Sequence, residues 1–126
     1  MKEDWLYVAC TWLPEVERIA IKTDRSAGAR EVFCTLPQSC PDGLSFERAG
    51  NLYIGCYAPN YLYKASPAQE VVLLIDDWEA HSLRNPTNLA FVGKVWNELY
   101  SANLGAWHIS RINTNATGQN LAWHHH

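Results

Sequence analysis

The sequence predicts an all-β chain, a partial β-propeller of about three four-stranded antiparallel blades. Three observations lead there. A Leu-Tyr pair opens a short apolar strand three times, at Leu6-Tyr7, Leu52-Tyr53 and Leu99-Tyr100, with spacings of 46 and 47 residues. Each is followed by a second strand-like segment, "EVERIAI", "NYLYKAS" or "WHISRIN". Pro41-Asp42-Gly43-Leu44-Ser45-Phe46 returns 45 residues later as Pro86-Thr87-Asn88-Leu89-Ala90-Phe91. Four short strands per repeat of this length mark a propeller blade. A sheet that is apolar on both faces must be sandwiched between copies of itself.

The elements follow in order. The first unit, residues 1–40, begins at its second strand, "DWLYVACTW", and continues through "EVERIAI" and "REVFCTL". Its innermost strand is expected upstream of Met1, which makes the blade incomplete. The second unit, 41–77, is complete, with strands predicted at 41–47, 51–57, 61–66 and 70–76. A Pro-Asp-Gly turn is expected to lead into it, and Gly50-Asn51 to close its first hairpin. The last unit, 86–122, has strands predicted at 88–92, 98–103 and 107–113, then a polar tail, "TNATGQNLAW". "NPTNLAFVGKVWNELYSA" imitates a helix in composition, but Pro86, Gly93 and the repeat alignment oppose one. The alternative arrangement is a pair of packed antiparallel sheets. Residues 1–126 form one domain in either case.

Composition narrows the function. Of 126 residues, 48% are hydrophobic and 18% charged, which suits a packed core rather than disorder. The net charge is only −3 and no run of Lys or Arg occurs, so no nucleic-acid partner is expected. No apolar run is long enough for a membrane helix, and "MKEDWLYVAC" is no signal segment, so a cytoplasmic location without membrane attachment is expected. Cys10, Cys34, Cys40 and Cys56 form neither a CxxC pair nor a zinc spacing and are expected as buried thiols. Asn115-Ala116-Thr117 is a formal glycosylation sequon, expected to be unused without a signal peptide. The terminal "HHH" is set aside as a tag-like segment.

The words "PDGLSFERAGNLYIGCY", "NPTNLAF" and "ELYSANLGAWHISRIN" resemble the senescence-marker-protein/gluconolactonase/regucalcin family of six-bladed propellers. They are similar to its fifth and sixth blades, with "DWLYVACTW" as the end of the fourth. The resemblance implies a metal-dependent lactonase or related esterase, with calcium or zinc on the axis held by Asp, Asn and Glu side chains. A hard cation prefers oxygen ligands, polarises a lactone carbonyl and helps form hydroxide from water. A metal-bound carboxylate also takes the water's proton.

The resemblance assigns Asp42, at the mouth of an inner strand, as metal ligand and catalytic base. It places the family's Asn and Glu ligands upstream of Met1. The other reading of Asp42 is a turn aspartate capping its own backbone. Thr87 stands where Asp42 stands in the other copy, and with Asn88 it is a candidate substrate contact, or else a turn hydrogen-bonder. The connection "DDWEAHSLRNPTN" carries two further substrate-binding candidates, His81 as an acid/base group and Arg84 as a carboxylate clamp. Trp12, Trp78, Trp96 and Trp107 are expected to pack between blades, the second reading being an aromatic lining for a sugar.

Two functions follow. One is a lactonase-like hydrolase acting on a sugar lactone or related ester. The other is a non-catalytic half-propeller serving assembly or ligand binding. The two end blades each present an apolar face, so a homodimer or higher homo-oligomer is expected.

Overall fold

The computed structural model describes residues 4–120. It contains ten strands and, among the described residues, no helix. They are β1 (Asp4–Cys10), β2 (Glu15–Ile21), β3 (Ala27–Thr35), β4 (Cys40–Phe46), β5 (Leu52–Ala58), β6 (Tyr61–Ala65), β7 (Val71–Asp76), β8 (Pro86–Val92), β9 (Glu98–Asn103) and β10 (Ile109–Ile112). They form three antiparallel sheets in the orders β1-β2-β3, β4-β5-β6-β7 and β8-β9-β10. These are blades 1, 2 and 3 of a partial β-propeller.

The strands alternate, and the alternation is what stacks the blades. In blade 2, Leu52, Ile54 and Cys56 of β5 face blade 1 with Tyr63 and Ala65 of β6. There they meet Val16, Phe33, Cys34 and Leu36, and every one of these residues is buried. The opposite face of the same strands sends Tyr53 and Leu62 onto Leu89, Phe91 and Leu99 of blade 3. Each cluster is closed by an edge-to-face aromatic pair. Tyr7 of β1 meets Phe46 of β4 at 4.8 Å, and Tyr53 of β5 meets Phe91 of β8 at 5.4 Å. The repeat seen in sequence is therefore a repeat of contacts: the Tyr of one blade's second strand docks on the Phe of the next blade's first.

A further pair repeats across the blades. Tyr7 lies directly opposite Arg18, Tyr53 opposite Lys64, and Tyr100 opposite Arg111. Every blade thus carries a Tyr and a cation side by side, facing the blade that follows. In blade 1 the Arg18 guanidinium lies over Trp5 at 4.3 Å and pairs with Glu31 at 2.5 Å.

The turns repeat as well. Residues 22–26, 47–51 and 66–70 share one hydrogen-bond pattern, in which the first N–H reaches the fifth carbonyl and the fourth N–H returns to the first. The fourth residue takes positive φ each time, at Arg25, Gly50 and Gln69. Trp96 occupies that place in the β8–β9 turn, with φ 56°.

Two expectations need correction. Pro41-Asp42-Gly43 is not a turn ahead of the strand; it lies inside β4, where the register slips between Pro41 and Leu44. β8 slips at the equivalent place, between Pro86 and Asn88. The slipped segment of β4 lies close against β8. A Cβ on Gly43 would sit 2.7 Å from the Asn88 Cα and 2.9 Å from the Leu89 nitrogen, so the two inner strands touch backbone to backbone there. Second, Trp12 and Trp78 do not pack between blades; they are 92% and 76% exposed, and Trp107 is fully exposed. Of the four, Trp96 is half-buried.

All four thiols are free; Cys34 and Cys56 are buried, Cys10 and Cys40 partly so. Burial pushes the Cys34 thiol up to about 11 and Cys56 to about 12, which keeps both protonated and inert. Among the described residues no helix is long and apolar enough to cross a membrane. After β10 the chain returns to blade 2. The Arg48 amide donates to the Thr117 carbonyl at 2.8 Å and the Gln119 amide to the Phe46 carbonyl at 3.0 Å.

Candidate functional site

The strand directions define one end of the stack. The inner strands β4 and β8 start there, and β1, β5 and β9 end there. The connections 11–14, 77–85 and 104–108 consequently share that end. Asp42, Thr87 and Asn88 lie at it on neighbouring inner strands, brought together by the Gly43–Asn88 backbone contact. Asp42 and Thr87 are half-buried and Asn88 is exposed. Burial raises the Asp42 carboxyl above its ordinary range, a state suited to taking up a proton or holding a cation. The Asn88 carboxamide oxygen accepts the Leu89 amide at 2.9 Å, the turn-type bond that was its structural reading.

His81 and Arg84 belong to a different neighbourhood. Their connection, 77–85, is a strap tied down at several points. The Asp77 carboxylate accepts three backbone N–H groups, from His81 at 3.0 Å, Ser82 at 2.6 Å and Leu83 at 2.7 Å. Leu83 inserts into the core between blades 2 and 3. The Ser82 carbonyl accepts Ser110 Oγ and lies 3.0 Å from His108 Nε2. His81 is exposed, 3.4 Å from Glu79, and lines a shallow cleft with Ser82, His108, Ser110 and Arg111. Arg84 lies over Gly105. The strap thus seats His81 and Arg84 toward the outer loops of blade 3.

Asp77 gives the strap a pH signature. Desolvation opposes its charge, but the three N–H bonds and the nearby His81 outweigh it and hold the carboxyl below its usual range. A carboxyl lowered by folding stabilises at pH values above its unfolded value, and that contribution is lost as pH falls through the folded value. Asp77→Ala is expected to cost about 1–3 kcal/mol in urea unfolding at neutral pH, from three orphaned N–H groups. The gap from wild type should close below about pH 4; a gap constant from pH 7 to pH 2 contradicts the assignment.

The chemistry of a metal centre can be tested against the residues present. Asp42, Thr87 and Asn88 offer hard oxygen donors, the set calcium takes, and no thiolate or imidazole of the kind zinc favours. Together they would supply at most one charge and three of the roughly six to eight oxygens calcium needs. They therefore fit part of a calcium shell and do not complete it. The described residues contain one grouping of three carboxylate, thiol or imidazole ligands, Cys10, Glu15 and Glu17, and it lies on the outward face of blade 1. There Arg30 pairs with Glu17 at 2.5 Å and lowers its carboxyl, while burial and the Glu17 hydrogen bond push the Cys10 thiol up. A carboxylate occupied by an arginine and a protonated thiol make a poor metal site.

The same end of the stack carries Trp12, Trp78 and Trp107 on its loops, with the exposed Leu13 and Leu104 beside two of them. Sequence reasoning assigned these tryptophans to the core because indole is large and apolar. The signal that places them outside is positional: each falls in a connection rather than at an alternating strand position.

No protein-family model and no curated protein matches the sequence. Solved structures do. A chain from the crystal structure of a nidogen/laminin complex superposes with a TM-score of 0.71 at 15% identity, covering 88% of this chain and 40% of that one. The calcium-binding protein regucalcin from Agrobacterium tumefaciens strain C58 superposes with a TM-score of 0.65, also at 15% identity, over 81% of this chain and 35% of its own. The likeness is one of fold: this chain spans about two fifths or less of each of these propellers.

Proposed function

We propose that the chain supplies the Asp42-bearing part of a cation-assisted hydrolase site acting on a sugar lactone or related ester. One observation carries this reading: Asp42 is a half-buried carboxylate on a slipped segment of an inner strand beside Thr87 and Asn88, and that burial raises it above its ordinary range. A solvated turn aspartate has no reason to be held so. The likeness of fold to calcium-binding regucalcin supports it. Asp42, Thr87 and Asn88 would hold a divalent cation, calcium better than zinc, and the cation would polarise the ester carbonyl. Asp42 would take the proton of the attacking water. The exposed tryptophans at the same end offer flat apolar surfaces of the kind sugar rings stack on.

Calorimetric titration of calcium and zinc, with a lactone hydrolysis assay, tests the reading on wild type and Asp42→Asn. The variant is expected to lose cation binding and hydrolysis together. Its thermal midpoint at neutral pH should hold or rise. A carboxyl raised by folding destabilises while charged, and that penalty fades as pH falls through its folded value. Equal cation affinity in the two proteins refutes the role of Asp42.

The second reading is a non-catalytic partial propeller that assembles or binds a ligand without turnover. It is favoured by the donor set at Asp42, since Asp42, Thr87 and Asn88 offer one charge and fewer oxygens than calcium takes. Tight ligand binding without hydrolysis, unaffected by Asp42→Asn, is its expected signature.

A further inference from the structure

Asn85 ends the strap and stands directly before β8. It precedes Pro86, a place that favours extended backbone, yet its φ is 51°. A residue other than glycine takes positive φ at a cost and keeps it where its surroundings over-determine it. Three hydrogen bonds do so here. The Asn85 amide donates to Asn60 Oδ1 at 2.7 Å, and its carboxamide Nδ2 donates to the Tyr57 carbonyl at 2.9 Å. The Asn85 carbonyl accepts the Leu104 amide at 3.0 Å.

The bond to Tyr57 falls at a bulge. Between β4 and β5 the register passes from Cys40–Ala58 to Pro41–Cys56 and skips Tyr57. A bulge leaves its extra residue outside the ladder. Asn85 takes up that carbonyl opposite Cys40 and Pro41, the two residues that lead into Asp42. Asn60 belongs to the same sheet, in the turn between β5 and β6. Its Nδ2 donates to the Asp77 carbonyl at 3.1 Å, and its own carbonyl accepts the Asp77 amide at 3.1 Å. Both ends of the strap are thus pinned on blade 2. The chain that leaves Asn85 becomes Thr87 and Asn88 of blade 3. One side chain therefore ties the bulge beside Asp42 to the strand that carries the other two oxygen donors.

We infer, resting on the cation reading of Asp42 proposed above, that Asn85 is a positioning residue for that site. It registers Thr87 and Asn88 on blade 3 against Asp42 on blade 2 and so sets the spacing of the three donors, without being a ligand itself. The Gly43–Asn88 contact limits how closely the two inner strands approach. Asn85 fixes where one stands along the other. Asp77 grips the same strap through its side chain only at His81, Ser82 and Leu83, and has no part in this registration.

Calorimetric titration with calcium, on the full chain at neutral pH, compares wild type, Asn85→Gly and Asp77→Ala. Glycine keeps the positive φ and removes the bond to Tyr57. Asn85→Gly is expected to bind calcium about tenfold more weakly, and Asp77→Ala, although less stable, is expected to bind as wild type does. Before calcium is added, the amide resonances of Gly43 and Leu89, which meet across the strand contact, should move in Asn85→Gly and hold in Asp77→Ala. Wild-type affinity in Asn85→Gly, or resonances that stay in place, overturns the inference and leaves Asp42 its role. An equal loss of affinity in Asp77→Ala also overturns it, since any loosening of the strap would then suffice. Wild type that binds no calcium removes the cation reading itself, and the role of Asn85 with it. If Asn85→Gly does not fold, Asn60→Ala, which removes the acceptor of the Asn85 amide, takes its place in the same comparison.

Discussion

Leu52→Ala is expected to be among the most destabilising single substitutions in the chain, costing about 2–5 kcal/mol in chemical unfolding. Leu52 is completely buried in β5, in the cluster that joins blade 2 to blade 1. Truncation leaves a cavity bounded by two sheets. Neither sheet can collapse into it without disturbing the opposite face of blade 2, which holds Tyr53 and Leu62 against blade 3. A Leu52→Ala cost below about 1 kcal/mol would mean that the blade interface is loosely packed. Leu6→Ala, at the matching repeat position, provides the internal control. It should cost less than about 0.5 kcal/mol, the range for exposed sites. The same residue type at the same repeat position then differs in effect because one leucine is covered by a neighbouring sheet and the other is not.

Gly43→Ala is the second. A methyl group there meets the backbone of Asn88 at 2.7 Å and of Leu89 at 2.9 Å, and backbone cannot rotate aside as a side chain can. The inner strands of blades 2 and 3 must separate, at a cost of about 1–3 kcal/mol. Because Asp42 precedes Gly43 and Asn88 is its contact, the separation moves the candidate oxygen ligands apart. The variant is therefore expected to weaken cation binding even under conditions in which it remains fully folded. Gly105→Ala, a crowded glycine beside Arg84 in an outer loop, serves as the comparison, since its obstruction includes a flexible side chain. Unchanged stability and unchanged calcium affinity in Gly43→Ala would show that the two strands are not in backbone contact in solution.

The repeat was legible because the physics that makes a blade is local. Leu-Tyr at the start of each second strand gives one residue to each face, and period-two alternation does the rest. The number of blades, the antiparallel pairing and the strands that imitate a helix at 86–103 all followed from that spacing. Turn chemistry carried less far. "PDG" has the composition of a turn, yet Gly43 is there because Asn88 of another blade lies against it. That reason is 45 residues away in the chain and invisible to local propensity. The exposed tryptophans were misplaced in the same way, since hydrophobicity alone does not say which side of a loop an indole occupies.

What the sequence by itself determined, then, is the β-propeller repeat and the kinship in position between Asp42 and Thr87, both consequences of regular spacing along one chain. Tertiary structure decided the rest. It set Asp42 in a half-buried slip of β4 beside Thr87 and Asn88, and it used Asp77 to tie His81 and Arg84 toward the outer loops of blade 3. It also left Leu6 open where Leu52 and Leu99 are covered. Burial, backbone approach and the company a side chain keeps are relations between blades, and no single blade's sequence contains them.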